Sequence, residues 1–159
     1  MPQTAFLYSV AGLSFTLVGF SGLIAALSRD GSRTPLIVYR VRQIPEMALA
    51  SALIALITLP LVDSTGSSAT AIRVASAIAF AFTAIHVGLL LQRARSLRLS
   101  RTTWVMAVAI DLGIFAAGVT ALVTGGVASY EWLLVLLVTR AGIAFVLALR
   151  DVMIVSPNS

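Results

Sequence analysis

The sequence predicts an all-α fold: an integral membrane bundle of five transmembrane helices, N-terminus out and C-terminus in. Three observations carry this. Of 159 residues, 59% are apolar and 11% charged, with a mean hydropathy of +1.02; a soluble domain carries roughly 25% charged residues. The apolar residues gather into five runs, each long enough to cross a bilayer core as a helix. The basic residues, all arginine, fall mainly in the links between those runs. The whole chain, 1–159, reads as a single transmembrane domain.

The first span is about 4–27. No positive region precedes it, and it is longer than a signal-peptide core, so it reads as a retained helix. Tyr8, Gly12, Thr16, Gly19, Gly22 and Ala26 fall on one broad face, and small residues on a stripe let another helix approach closely in lipid. Gly12, Thr16, Gly19 and Gly22 are therefore expected to serve helix packing. Phe15 interrupts the stripe, while Phe6 and Phe20 lie off it.

A polar hinge follows, with a turn signal at Asp30-Gly31, and Thr34-Pro35 reads as an N-cap followed by a first-turn proline. Residues 35–44 mix apolar and basic side chains and read as an interfacial helix, with Arg40 and Arg42 reaching lipid headgroups. Pro45 then restarts the chain into a second span, about 45–62, although a start at Pro35 stays open. Glu46 sits where that span begins. A carboxylate there faces the positive end of the helix dipole and lies four residues from Arg42.

The third span, about 70–92, is alanine-rich in its first half and holds the single histidine, His86. That residue reads either as a hydrogen-bonded core group or, with Glu46, as a proton-sensitive one. The link after it carries Arg93, Arg95, Arg98 and Arg101, a topology signal that also suits docking to headgroups or a partner. The fourth span is about 102–125 and the fifth about 130–150, joined by the turn 125–129. Trp104, Tyr130 and Trp132 read as interfacial aromatics. Arginines crowd the links after spans one and three and recur at Arg150, so the positive-inside rule sets the orientation.

Asp111 and Arg140 are the two charges deep inside spans. An ionised group at that depth costs at least several kcal/mol unless it finds a partner or water. Counted from the turn, the two are offset by about three residues, or about 4.5 Å at the helical rise. An intramembrane Asp111–Arg140 pair is expected, either fixing helix register or handling a substrate, proton or partner.

The function classes excluded are many. With no cysteine there is no disulfide, thiolate metal site or thiol catalysis, and with no lysine there is no lysine Schiff base. One histidine cannot make a bis-histidine haem site, and no cofactor or metal is expected. The net charge of +5 follows from the arginine links, so no nucleic-acid partner is expected. No phosphate loop, nucleophile elbow, zinc-protease motif or dinucleotide fingerprint is present, and the chain does not read as an enzyme.

The stretch from Phe15 to Ala26, with its Gly19-Phe20-Ser21-Gly22-Leu23 core, precedes a basic link and Tyr39-Arg40-Val41-Arg42. With Arg73-Val74-Ala75-Ser76 it resembles small bacterial hypothetical membrane proteins, over about half the chain. That resemblance implies a bacterial inner membrane and no assigned activity. The expected role is a non-catalytic accessory or assembly subunit, held in the lipid bilayer by other membrane subunits or by self-association. The alternative is a small homo-oligomeric channel or carrier using Asp111, Arg140 and His86.

Overall fold

The computed structural model describes residues 4–27, 35–94 and 101–155, and there the chain forms α1 (Thr4–Leu27), α2 (Pro35–Thr65), α3 (Ser68–Ala94), α4 (Arg101–Thr124) and α5 (Val127–Val155). All five are long and apolar enough to cross a membrane. The expected links at Asp30-Gly31 and Thr34, and Arg95 and Arg98, lie outside the described residues, as do the side chains of Arg93 and Arg101.

The second helix departs from expectation. The interfacial helix 35–44 and the span 45–62 are one 31-residue helix with Pro45 and Pro60 inside it. A proline removes one backbone donor and crowds the carbonyl four residues back, which was the reason to expect a break. Packing overrides it. Arg40, Gln43 and Ile44 before Pro45, and Met47 and Ala48 after it, are all buried. Neighbouring helices hold both sides of the proline and the helix runs through, as apolar surroundings permit.

α2 and α5 are the central pair. α2 packs against α1, α3 and α5, and α5 packs against α1, α2, α4 and, more lightly, α3. Among the described residues no Cα of α2 comes within 8 Å of one in α4, and none of α1 within 8 Å of α3 or α4. The main core joins Met47, Ile54, Ile72, Ile114, Leu133, Leu134 and Leu137, and a smaller cluster joins Ile24, Ile44, Ala144 and Ala148 where α1, α2 and α5 meet. Small residues line the tight approaches. Ala71, Ala75 and Ala79 of α3 recur every four residues and are fully buried, as are Ala48, Ser51, Ala52 and Ala55 of α2. This is the small-residue packing expected of helices in lipid, on different helices from the one anticipated.

On α1 the small-residue stripe points outward. Its buried face is Leu7, Val10, Ala11, Ser14, Ser21 and Ile24. Gly12, Thr16, Gly19 and Gly22 are exposed, and a Cβ added to any of the three glycines would meet nothing within 4 Å. The packing role anticipated for these four does not operate within the chain. The larger side chains of the opposite face make more contacts against α2 and α5, and in lipid that contact area decides which way a helix turns.

Tyr130 also departs from expectation. It is fully buried rather than interfacial, because α5 begins three residues earlier than predicted and Tyr130 falls inside the bundle. Its Oη donates to Ile54 O at 3.0 Å and lies against Thr58 Oγ1, which itself approaches Ile54 O at 2.8 Å. Trp132, one half-turn on, is exposed.

Two glycines close the short turns. Gly66 and Gly125 have φ of 63° and 66°, and their N–H groups donate to Val62 O and Ala121 O, capping α2 and α4. Around Gly66 there is open space, whereas a Cβ on Gly125 would stand 3.0–3.2 Å from the Cβ, O and Cα of Ala69. Gly66→Ala should therefore cost only the left-handed strain, about 1–2 kcal/mol. Gly125→Ala should cost visibly more, because α3 and α4 must also separate. Thermal melts of the two variants in one detergent check the difference.

Candidate functional site

The two deep charges meet. α4 ends at Thr124 and α5 begins at Val127, so the turn is the two residues Gly125 and Gly126. Asp111 lies fourteen residues before Gly125 and Arg140 fourteen after Gly126. The shorter turn removes the anticipated three-residue offset and sets the two level on antiparallel helices. Arg140 Nε donates to Asp111 Oδ1 at 3.1 Å, and each residue is only 6% exposed. Breaking such a pair on one side strands an uncompensated buried charge, at a cost of about 3–5 kcal/mol.

A second buried pair was not anticipated. Arg40 is 5% exposed; its Nη1 bonds the Asp151 carboxylate and donates to Leu147 O at 3.3 Å. Arg40 therefore does not reach headgroups. Once α2 runs unbroken from Pro35, Arg40 lies on its packed face against α5. Arg42 is different: its side chain is 64% exposed, free to reach an interface, and its Nε donates to Glu46 Oε1 at 2.7 Å. Glu46 lies well inside α2 and is not at a helix start, so the dipole reading of Glu46 fails while the Arg42 contact stands.

Glu46 also faces His86 of α3, with 3.8 Å between Oε2 and Nδ1. His86 is 7% exposed, stacks on Phe82, and has its Nε2 at 3.4 Å from Gln43 Nε2. Gln43 Nε2 also donates to Tyr39 Oη at 2.6 Å. An amide nitrogen has two hydrogens. One can serve Tyr39 Oη and the other a His86 Nε2 that accepts; in that tautomer the imidazole proton is on Nδ1, the nitrogen nearer Glu46. The sequence reading kept His86 apart from the deep pair. The structure brings them nearer, because Tyr39, Arg40 and Gln43 of α2 share a cavity with Arg140 of α5. That cavity, about 30 Å³, is roughly one water's share of liquid volume.

A larger cleft of about 320 Å³ between α4 and α5 shares Thr103, Ala107, Arg140 and Leu147 with that cavity. α4 gives it Thr103, Met106, Ala107 and Ile110, one stripe at three- and four-residue spacing. α5 gives it Arg140, Ile143, Leu147 and Arg150 in the same manner. Because the helices are antiparallel, Thr103 and Arg150 fall at one end of the cleft and Ile110 and Arg140 at the other.

Beyond this polar region the described core holds no buried charge, and its polar groups are hydroxyls, among them Ser14, Thr58, Ser76 and Tyr130. Ten residues, or about 15 Å of helix, separate Arg140 from Tyr130 on α5. Along that length Leu133, Leu134 and Leu137, with Ile114 and Ala121 of α4, have at most 1% exposure. Tyr130 and Thr58 close on Ile54 O behind this layer. Among the described residues no group of three or more His, Cys, Asp or Glu could hold a metal ion. The residues missed from the sequence were Tyr39, Gln43, Thr58, Tyr130 and Asp151. Asp151 could have been found by asking which acid answers Arg40 on an unbroken α2.

Compared with known proteins, the chain matches no family model, no curated protein and no solved structure.

Asp111→Asn should destabilise the fold by about 3–5 kcal/mol, and adding Arg140→Gln should recover part of that loss. Detergent melts of the two single variants and the double variant measure the coupling; full tolerance of both single changes would remove the pair from the account. Arg40→Gln should cost about as much as Asp111→Asn, whereas Arg42→Gln, exposed and paired within one helix, should cost less than about 1 kcal/mol. Equal melting temperatures for the two arginine variants would contradict the burial of Arg40.

Proposed function

We propose that this is a multi-pass protein of a bacterial inner membrane, N-terminus out and C-terminus in, serving as a non-catalytic accessory or assembly subunit of a larger membrane complex. The observation that carries the reading is the apolar layer between Arg140 and Tyr130. A permeation unit needs polar groups or water at successive depths. Here Asp111 and Arg140 answer each other within the chain, as do Arg40 and Asp151, and no buried charge lies in the described core beyond them. That is the economy of a scaffold: charges fix register between helices, and the outward faces are left to lipid and neighbours. The exposed stripe of Gly12, Thr16, Gly19 and Gly22 is compatible with a lateral neighbour.

One observation favours the alternative of a homo-oligomeric channel or carrier. Gln43 and Arg140 line one small cavity and His86 lies against Gln43, so polar groups of α3, α2 and α5 form a route through part of the bundle. The route ends at the leucine layer of α5, and a second copy would have to open it.

Extraction of the full chain from its own membrane in mild detergent, followed by native mass spectrometry, tests the proposal. The expected outcome is co-purification at fixed stoichiometry with larger integral membrane subunits. A homo-oligomer alone, passing ions in liposomes with a flux that falls in His86→Asn, would overturn it in favour of the channel.

A further inference from the structure

We infer that the cleft between α4 and α5 seats the anionic headgroup of a membrane phospholipid, with Arg150 and Thr103 at its mouth and Arg140 at its base.

Charge gives the first reason. Among the described side chains, three guanidinium groups, Arg40, Arg140 and Arg150, lie at this end of α5, against two carboxylates, Asp111 and Asp151, so the balance that follows is theirs alone. Asp111 answers Arg140. Asp151 is shared, bonded by Arg40 and 3.7 Å from Arg150 Nη2. One positive charge is left over, and a phosphodiester supplies one negative charge.

Donors give the second. The Arg140 side chain is only 7% exposed, and Nε is the atom committed to Asp111. Its two Nη groups make no hydrogen bond to any described residue, and Arg140 borders the cleft. A largely buried guanidinium with N–H groups to spare is a built donor site for an anion's oxygens.

The walls decide the source of the anion. Between the two arginines they are Met106, Ala107 and Leu147, which suit a glycerol backbone and the first methylenes of an acyl chain better than a hydrated free ion. The cleft is a groove between two neighbouring helices, so a lipid can enter from the side. Basic pockets between membrane helices bind acidic headgroups in this way. Its volume of about 320 Å³ sits at the lower end of the roughly 300–1,000 Å³ of small-molecule sites, enough for a headgroup with the chains left outside.

The test is native mass spectrometry of the purified full chain in non-ionic detergent, with phosphatidylglycerol and phosphatidylcholine of matched chains in equal amounts. The wild type should retain phosphatidylglycerol preferentially. Arg150→Gln, whose side chain is 59% exposed and outside the packed core, should cut that preference about fivefold, the ratio for one arginine at a headgroup. Ala107→Phe should cut it too, by filling the cleft without changing charge; if that variant does not fold, Arg150→Gln alone decides. Arg42→Gln, an exposed arginine outside this cleft, should leave the preference unchanged. An equal fall in Arg42→Gln would mean that the whole basic end attracts the lipid, and an undiminished preference in Arg150→Gln would mean that the cleft plays no part; either result overturns the site. Displacement of the lipid by excess inorganic phosphate would assign the site to a soluble anion and overturn the lipid.

Discussion

An arginine halfway along an apolar helix must be answered from within the chain, and most of this architecture follows from how Arg140 is answered. Asp111 meets it at the same level because the turn between α4 and α5 is two residues long. That turn works because Gly125 adopts a left-handed conformation and lies against Ala69 of α3. One ion pair thus ties the register of α4 on α5 to the packing of α4 on α3. The Arg40–Asp151 pair does the same for α2 on α5. Two charge pairs and the contact of Gly125 with Ala69 link four of the five helices. α1 joins through the apolar packing of Leu7, Val10 and Ile24 and the ring contact of Phe20 with Phe145 of α5.

The helices themselves were legible in the sequence, since length and hydropathy are local properties. Asp111 and Arg140 were legible as a pair, because two lone opposite charges on adjacent spans leave little choice. What failed has a common cause. The break at Pro45, the interfacial role of Arg40 and Tyr130, and the packing stripe of α1 were all read from local chemistry. Tertiary contact reversed each one. Burial of Gln43, Ile44, Met47 and Ala48 carries α2 through its proline. With α2 unbroken, Arg40 rotates onto α5 and Glu46 is no longer near a helix start. The direction in which a helix turns its faces depends on the volume its neighbours offer, and a single apolar span carries no periodic signal that records it. Tyr39, Gln43 and His86 were out of reach for the same reason, as their meeting requires α2 and α3 to be placed first.

The polar groups are unevenly distributed along the bundle. Arg40, Asp151, Arg140, Asp111, Gln43, His86 and Glu46 all lie from the middle of the bundle toward the end where α2 and α4 begin. The buried interior of the other half holds the leucines of α5, the hydroxyl contact between Tyr130 and Thr58, and the buried hydroxyls of Ser14 and Ser76, with no buried charge among the described residues. In the proposed orientation the polar half faces inward. A site there sees headgroups and solutes of one side only, which suits a lipid-binding groove and does not suit a conduit.

The two-residue turn has a consequence for biogenesis. On insertion, an arginine at the centre of a lone helix costs about 2.5–3.5 kcal/mol. α5 carries that burden, and its sequential neighbour carries the acid that relieves it. Because Gly125 and Gly126 leave no slack, α4 and α5 emerge as a hairpin whose charges are already opposed. In the proposed membrane setting, the pair of helices, not the single helix, would be the unit that partitions.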